Sequence, residues 1–229
     1  MKTAIITGGS GSIGEALVAE FSKDFRVVFT YLTNREKAKE TAEKYGAEAV
    51  PCDLNLEADT ERLLKCVRSC DLLINNAGID SVGLFTELSD DELYYVINTD
   101  LISPMKLTKA VLPLMIKEKK GSIINISSIW GVYGGSCEVA YSAAKAGLVG
   151  FTKALSREVG RSGVRVNCIA PGFIESKMNS HLTQEEINEF AEGTSLGIIG
   201  KPVDVALAAR YLYEAEFVTG QVLGIDGGF

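Results

Sequence analysis

The sequence has very little histidine and lacks cysteine pairs with the spacing of a metal site. His181 is the only histidine, and the five cysteines do not have the paired spacing of a metal site. Cys66 and Cys70 lie four residues apart on a predicted helix, but no histidine or second cysteine pair accompanies them. A structural zinc site needs such a ligand set, and a Ser-His-Asp triad needs a histidine with partners. The sequence therefore predicts no metal site, and reduced cysteines that fill space.

A basic run and a long apolar run are also missing. Asp and Glu number 30 against 23 Lys and Arg, so the formal net charge is -7. This balance disfavours nucleic acid and anionic membranes as partners. The sequence has no apolar run of about 18 residues, and its apolar N-terminal stretch is too short for a signal peptide. We therefore expect a cytoplasmic protein that binds neither nucleic acid nor a membrane.

Apolar runs alternate with helical patterns along all 229 residues. The runs predicted as strands are continuously apolar, which is typical of a parallel sheet with helices on both faces. We predict an α/β fold: a single doubly wound domain over residues 1–229, with a mostly parallel sheet of about seven strands. The predicted strands are residues 3–7, 26–31, 47–50, 72–75, 122–127, 164–169 and 221–225.

Helices are predicted between these strands, at residues 13–23, 35–45, 57–67, 89–117, 138–160 and 203–213. Pro104 lies inside the longest of these patterns and predicts a break or kink, because proline cannot donate a helical hydrogen bond. Residues 173–200 have mixed polarity and weak periodicity, so we predict a mobile substrate lid there.

A glycine-rich turn joins the first predicted strand to the first predicted helix. Three of its glycines have the spacing G-x-G-x-x-G. Glycines allow a tight turn and a close backbone approach to a pyrophosphate, and the helix N-terminus attracts the phosphates. This context favours a dinucleotide site over a glycine-rich turn without a ligand. The residues expected to contact the dinucleotide are Gly8, Gly9, Ser10, Gly11, Ser12, Ile13 and Gly14.

The end of the second predicted strand carries no carboxylate to bind the ribose 2′-hydroxyl of NAD(H). The residues there run from Tyr31 to Arg35, and Asn34 and Arg35 are able to hold a 2′-phosphate. NADP(H) is therefore the preferred cofactor, with NAD(H) as the alternative. Arg35 also has a simpler interpretation, as the first-turn residue of a solvated helix.

Tyr141 and Lys145 are four residues apart, so they share one face of a predicted helix. A tyrosine with a pKa of about 10 is a poor acid–base catalyst at neutral pH. A nearby ammonium favours the phenolate and lowers that pKa. Ser128 follows the fifth predicted strand, at the edge where an open parallel sheet binds ligands, and its hydroxyl can donate to a reacting carbonyl.

These residues carry a resemblance to the short-chain dehydrogenase/reductase family that covers the whole chain. Within the family, the sequence is most similar to the 3-oxoacyl-acyl-carrier-protein reductases, through Ala144-Lys145-Ala146-Gly147, Val166-Asn167 and Ala170-Pro171-Gly172-Phe173-Ile174-Glu175. The motifs shared with the family at large are Thr7-Gly8, Ile13-Gly14, Asn75-Asn76-Ala77-Gly78, Asn98, Ser128, Tyr141, Lys145, Pro171-Gly172 and Asp226-Gly227-Gly228-Phe229.

The resemblance implies a Rossmann fold and a catalytic tetrad of Asn98, Ser128, Tyr141 and Lys145. Tyr141 would protonate the carbonyl oxygen, and Ser128 would orient it. Lys145 would bind the nicotinamide ribose and lower the pKa of Tyr141, and Asn98 would anchor a water. Further cofactor contacts implied by the resemblance are Asp53 at the adenine, Asn75 and Gly78 at the adenosine ribose, Ile169, Pro171, Gly172 and Ile174 at the nicotinamide, and also Leu54, Ala77 and Ser176.

Several positions depart from the family pattern. The turn has Ser12 in place of a usual glycine and Gly11 in place of a frequent basic residue, which weakens the preference for NADP. Trp130, Cys137 and Glu138 are unusual for a fatty-acid-synthesis reductase. This segment resembles a subgroup that reduces an aminopentanone modification on a translation elongation factor. Glu138 then pairs with a substrate ammonium, or alternatively only opens the catalytic helix.

The expected partner is a ketone substrate, carried on acyl carrier protein or on another protein. Basic residues beside the active site serve carrier docking in the family, although solvated helix ends explain the same residues. The candidates are Lys117, Lys119, Lys120, Arg157, Arg161 and Arg165. The resemblance also implies a homotetramer or homodimer. A dinucleotide-binding regulatory protein without catalysis is the alternative from another functional class.

Overall fold

The computed structural model describes residues 1–176 and 183–229. Its centre is one sheet of seven strands, all parallel, in the order β3-β2-β1-β4-β5-β6-β7. All seven predicted strands are confirmed, and the sheet is parallel throughout rather than mostly so. The strands are β1 Lys2–Ile6, β2 Phe25–Tyr31, β3 Glu48–Pro51, β4 Leu72–Asn75, β5 Gly121–Ile126, β6 Val164–Pro171 and β7 Val222–Ile225.

Helices cover both faces of the sheet, as expected for strands that are apolar on both sides. Leu17 of α1 and Val205 of α9 belong to the apolar cluster on one face. Leu107 of α5 and Val159 of α7 belong to the cluster on the other. The helices are α1 Ser12–Phe21, α2 Arg35–Tyr45, α3 Glu57–Lys65, α4 Asp90–Ile97, α5 Ser103–Glu118, α6 Trp130–Tyr133, α7 Val139–Val159, α8 Gln184–Glu192 and α9 Pro202–Glu214.

The long helix predicted over residues 89–117 is divided into two helices. A π-helical turn, Asn98–Ile102, lies between α4 and α5. Pro104 stands in the first turn of α5, and because it has no N–H it cannot donate to the carbonyl of Asp100. The predicted break is therefore confirmed and lies just before the proline. Such π turns are frequent at functional sites because they redirect side chains.

The predicted lid contains a helix that the sequence pattern did not reveal. The helix α8 begins with a capping box, in which the side chains and backbone N–H groups of Thr183 and Glu186 bond reciprocally. Phe173 and Phe190 stack with ring centroids 4.3 Å apart, and Ile174 pairs with Gly200. Residues 177–182, with His181, lie outside the described residues, and the mobility of the lid stays a prediction.

A ladder of buried amides connects the sheet to the helices on one face. Asn75 and Asn125 are paired residues of β4 and β5. The Asn75 amide donates to Asn125 Oδ1 at 2.8 Å and to Thr108 of α5 at 3.0 Å, and the Asn125 amide donates to Thr152 of α7 at 2.8 Å. These hydrogen bonds satisfy polar groups in an otherwise apolar interior.

Among the helices of the described residues, none combines the length and the apolar character needed to cross a membrane.

Candidate active site

One pocket of about 880 Å³ lies at the carboxyl ends of the parallel strands. The strand order reverses there, because β1 is paired with β2 on one side and with β4 on the other. Open parallel sheets bind ligands at this switch point. The predicted site residues that line the pocket are Gly8, Ser10, Gly11, Ser12, Ile13, Gly14, Tyr31, Asn34, Asp53, Leu54, Ala77, Gly78, Ser128, Tyr141, Lys145, Pro171, Gly172, Ile174 and Ser176.

The glycine turn leaves room for a ligand because several of its positions tolerate no side chain. Gly8 has a φ of +68°, a conformation that favours glycine. A Cβ on Gly14 would lie 2.1 Å from the Gly8 carbonyl oxygen. Gly9 is buried, and a Cβ there would lie 2.4 Å from the Phe29 ring, so it serves packing and does not line the pocket. The turn and the α1 N-terminus form a cradle that fits a dinucleotide phosphate.

The loop after β4 is attached to the loop after β1. Thr7 Oγ1 accepts the backbone N–H groups of Asn76 and Ala77, each at 2.9 Å. The Asn76 amide donates to the Thr7 carbonyl at 2.9 Å. Asn76 lines the pocket, whereas Asn75 is buried in the amide ladder. The structure therefore places Asn76, and not Asn75 as predicted, in the pocket lining, because the side chain of Asn75 is used inside the sheet.

The far end of the pocket, beside β2, presents Asn34 and Lys37. The Asn34 side chain caps α2 by accepting from the Lys37 N–H at 3.0 Å. Lys37 Nζ pairs with Glu15 at 2.8 Å. Arg35, for which a phosphate contact is predicted, is exposed and lies outside the pocket lining, so the structure places Lys37 and not Arg35 at this end of the pocket.

Ser128, Tyr141 and Lys145 meet at the opposite end of the pocket. Ser128 is nearly buried, and its Oγ accepts the N–H of Trp130 at 3.2 Å. Lys145 Nζ is 5.4 Å from the centre of the Tyr141 ring, as expected for side chains four residues apart on α7. The structure thus brings together the three residues for which catalysis is predicted.

Asp100 is the fourth side chain in contact with this group, and the sequence analysis missed it. Its Oδ2 lies 3.1 Å from Lys145 Nζ, and its Oδ1 accepts the Ile79 N–H at 2.9 Å. A Cβ on Gly78 would approach Asp100 Oδ2 at 2.8 Å and Lys145 Nζ at 2.9 Å, so a glycine is needed beside the pair.

Asn98, the predicted fourth member, is exposed and does not line the pocket. It begins the π-helical turn, whereas Asp100 two residues later is completely buried. The structure therefore brings Asp100, and not the predicted Asn98, into contact with Lys145. The sequence signal that was available is an acidic residue four positions before Pro104, where a proline interrupts the helix.

The charges around Tyr141 oppose one another. Burial raises the pKa of Tyr141, Lys145 and the Ser128 hydroxyl lower it, and Asp100 and Glu138 raise it. The net direction is upward. Burial alone would lower the pKa of Lys145, but Asp100 and Tyr141 raise it above its ordinary value. Lys145 thus lowers the pKa of Tyr141 as expected, but burial, Asp100 and Glu138 together raise it by more.

The mouth of the pocket carries two carboxylates and an aromatic cluster. Burial and the neighbouring Asp80 raise the pKa of Glu138, and a hydrogen bond with Trp130 lowers it. The pKa of Glu138 is raised overall. The Trp130 ring packs edge-on against Phe229 with centroids 5.6 Å apart. Cys137, just before Glu138, has a φ of +62°, which is unusual for a residue other than glycine.

The cysteines Cys52, Cys66, Cys70, Cys137 and Cys168 are all unpaired. Burial raises the pKa of Cys70 to about 12 and that of Cys168 to about 11, so both remain thiols at neutral pH. Across the described ranges, no group of three or more histidine, cysteine, aspartate or glutamate side chains is arranged to hold a metal ion.

The predicted basic docking residues do not border this pocket. Lys120 and Arg165 line a cavity at the amino ends of β5 and β6. The six residues of β5 separate that edge from Ser128 by about 20 Å. Arg165 also donates to the carbonyls of Leu212 and Val218 at 2.6 and 3.3 Å. The expectation of a basic patch beside the active site is wrong for these residues, because they belong to the opposite edge of the sheet.

A glycine cradle and a Ser-Tyr-Lys group in one pocket of a parallel sheet define a dinucleotide-dependent oxidoreductase. Comparison with known proteins agrees. The family model described as short chain dehydrogenase matches residues 2–187. The chain therefore belongs to the short chain dehydrogenase family.

Three relatives match over nearly their whole length. The 3-oxoacyl-acyl-carrier-protein reductase FabG of Chlamydia trachomatis is 40% identical over 99% of this chain and 96% of its own. The 3-oxoacyl-acyl-carrier-protein reductase of Homo sapiens is 36% identical over 99% of this chain and 97% of its own. YmfI of Bacillus subtilis, described as an uncharacterized oxidoreductase, is 35% identical over 100% of this chain and 98% of its own.

Proposed function

We propose that the protein reduces a ketone to an alcohol with NADPH, and that the ketone is a 3-oxoacyl thioester carried on acyl carrier protein. The observation that carries the proposal is the convergence of Ser128, Tyr141 and Lys145 in the pocket that also contains the glycine cradle. The names of two relatives support the thioester substrate. An assay of NADPH absorbance loss with acetoacetyl thioesters, on carrier protein and on coenzyme A, tests it.

Each side chain has a distinct part in the proposed reaction. Tyr141 donates its phenolic proton to the ketone oxygen, and Ser128 donates a hydrogen bond that orients that oxygen. Lys145 holds ribose hydroxyls of the nicotinamide half of the dinucleotide. When bound, NADPH supplies the hydride. Phe173 and Phe190 line the pocket and restrict access of water to it.

The preference for NADPH over NADH is part of the proposal. Asn34 and Lys37 support it, since both line the end of the pocket beside β2. We expect Lys37→Ala to raise the KM for NADPH about fivefold and to leave the KM for NADH unchanged, because one charged phosphate contact is worth about 1 kcal/mol. Steady-state kinetics with both dinucleotides measure this.

Lys39→Ala is the matched control for this prediction. Lys39 lies on the same helix, is exposed and pairs with Glu43 at 3.9 Å, so its loss should leave both KM values unchanged. Equal effects of Lys37→Ala on NADPH and NADH would contradict a role at the 2′-phosphate.

A second candidate substrate is a ketone that bears an ammonium group, such as an aminopentanone modification on a translation elongation factor. The support comes from Asp80 and Glu138, two carboxylates that line the same pocket and interact electrostatically. Among the residues that the structure describes, the cations of this lining are Lys37, at the end beside β2, and Lys145, which is paired with Asp100. A cationic substrate is therefore better matched to the mouth than an anionic one.

Glu138→Gln separates the two substrates. If the substrate carries an ammonium, we expect kcat/KM for an aminoketone to fall about tenfold, the value of one partly buried charge-assisted contact. The kcat/KM for acetoacetyl thioesters should change less than about twofold. Equal losses on both substrates would eliminate a charge-specific role and leave Glu138 as a residue that opens α7.

We also propose assembly as a homotetramer or homodimer. Val203, Leu207 and Tyr211 support it, since they recur every four residues on α9 and are about half exposed. Such a stripe beside the edge strand β7 is suited to pack against a second copy.

A further inference from the structure

Lys145 and Asp100 form an ion pair that is closed off from solvent. The Nζ–Oδ2 distance is 3.1 Å, and the two side chains are 4% and 0% exposed. Asp100 Oδ1 accepts the Ile79 N–H at 2.9 Å, and Lys145 Nζ donates to the Ile126 carbonyl at 3.3 Å. Each charged group is therefore held by the backbone as well as by its partner, and the pair has a fixed geometry.

The pairing changes the effect of Lys145 on Tyr141. The ammonium is 5.4 Å from the centre of the Tyr141 ring, where an isolated positive charge would strongly favour the phenolate. A carboxylate 3.1 Å from that ammonium makes the two charges a dipole, and the field of a dipole falls off faster than that of a single charge. The pKa of Tyr141 is raised mainly by burial, and Asp100 acts in the same direction against the lowering effect of Lys145.

We propose that Asp100 is a positioning residue that neutralises Lys145 and thereby keeps Tyr141 protonated, ready to donate its proton at neutral and mildly alkaline pH. The proposal rests on the proposed function, in which Tyr141 is the proton donor. Ketone reduction uses the protonated phenol, whereas alcohol oxidation needs the phenolate. Asp100 therefore favours the form of the enzyme that serves reduction.

Among the described residues, three other titratable side chains face this cluster: Glu138, Asp80 and Cys168. Glu138 faces Tyr141 and acts on its pKa in the same direction as burial and Asp100 do. Asp80 faces Asp100 instead, and the pKa of that carboxyl is raised first by burial and further by Asp80. Asp80 is exposed, so water screens its charge, whereas Glu138 is partly buried in the pocket lining. Cys168 faces Lys145, and burial raises its pKa to about 11, so it is neutral in the relevant range. Asp100 is the buried carboxylate in contact with the ammonium.

Asp100→Asn tests the proposal because it removes the charge and keeps the size of the side chain. We expect the acidic limb of the pH profile for alcohol oxidation to move down by about one pH unit. The alkaline limb for ketone reduction should move down by the same amount. Glu158→Gln removes an exposed carboxylate from α7, the helix of Tyr141 and Lys145, and should move neither limb.

A titration without substrate or dinucleotide gives a readout that does not depend on activity. Tyrosinate absorbance is measured for the unsubstituted protein and for Tyr141→Phe, and the difference isolates Tyr141. The same pair is measured in the Asp100→Asn background, where Tyr141 should titrate about one pH unit lower. Coincident curves in the two backgrounds would overturn the proposal even in an active enzyme. The expected shift in a protein that reduces no ketone would instead overturn the proposed function alone.

Folding of the variant is monitored by thermal unfolding. Where Asp100→Asn does not fold, Asp100→Ser replaces it with the same expected shift, since a serine hydroxyl is also neutral. The unsubstituted protein alone provides a further decisive result. If its Tyr141 titrates at or below the ordinary value of 10.0, Asp100 does not hold the phenol protonated and the proposal is wrong.

Discussion

Tyr141→Phe is expected to lower kcat/KM for ketone reduction about a thousandfold, which is within the range for loss of a general acid. The phenol is the proton donor of the proposed reaction, and phenylalanine keeps the ring that packs beside Lys145. Dinucleotide affinity should therefore change less than about twofold, because the ring volume is preserved. NADPH absorbance gives the rate, and NADPH fluorescence gives the affinity.

Tyr45→Phe is the control for this substitution. Tyr45 lies at the end of α2 and packs against the apolar cluster on the α1 and α9 face, far along the chain from the catalytic group. Loss of its hydroxyl should leave the rate unchanged. A Tyr141→Phe enzyme that retains more than about a tenth of the activity would refute Tyr141 as the general acid.

Gly14→Ala is expected to have the largest effect among substitutions in the glycine turn. The added methyl group would lie 2.1 Å from the Gly8 carbonyl oxygen and 2.8 Å from Gly9 Cα, and both are backbone atoms that cannot rotate away. We expect the free energy of unfolding to fall by about 3 kcal/mol. NADPH binding should be lost, because the turn must open to accommodate the methyl group. Urea unfolding and NADPH fluorescence measure the two effects.

Gly150→Ala provides the matched comparison. Gly150 lies inside α7, and a Cβ there would meet nothing within 4 Å. Alanine in a helix interior is more favourable than glycine by about 0.5–1 kcal/mol, so this variant should be more stable than the parent. A Gly14→Ala protein as stable as Gly150→Ala would show that the turn adapts to a side chain.

The sequence was sufficient to predict the sheet and the glycine turn, and three of the four predicted catalytic residues, Ser128, Tyr141 and Lys145, lie in one pocket. Continuous apolar runs mark buried parallel strands, and a spacing of four residues places Tyr141 and Lys145 on one helix face. The roles of these residues remain predictions until they are measured. The family resemblance supplied the substrate class, which no periodicity or spacing contains.

The errors came from side-chain direction, which depends on local backbone geometry. Asn98 and Asp100 both lie in the π-helical turn, but Asp100 continues the buried face of Val96 and Leu107, whereas Asn98 is exposed. Asn75 and Asn76 are adjacent at the end of β4, so they point to opposite sides, and the sequence alone does not say which side meets the ligand. Lys120 is close to Ser128 in sequence, but Lys120 precedes β5 and Ser128 follows it. The two residues therefore lie at opposite edges of the sheet.

The amide ladder between β4 and β5 has a consequence for assembly of the site. Slipping β4 by a single residue would turn the Asn75 side chain to the other face and leave Asn125 Oδ1 and Thr108 Oγ1 without the Asn75 amide. Strands such as these would otherwise tolerate a shift in register, since both of their faces are apolar. The hydrogen bonds of the ladder thus fix the register of β4 against β5. This register brings Gly78 and Ser128, which follow the two strands, to one level before any ligand arrives.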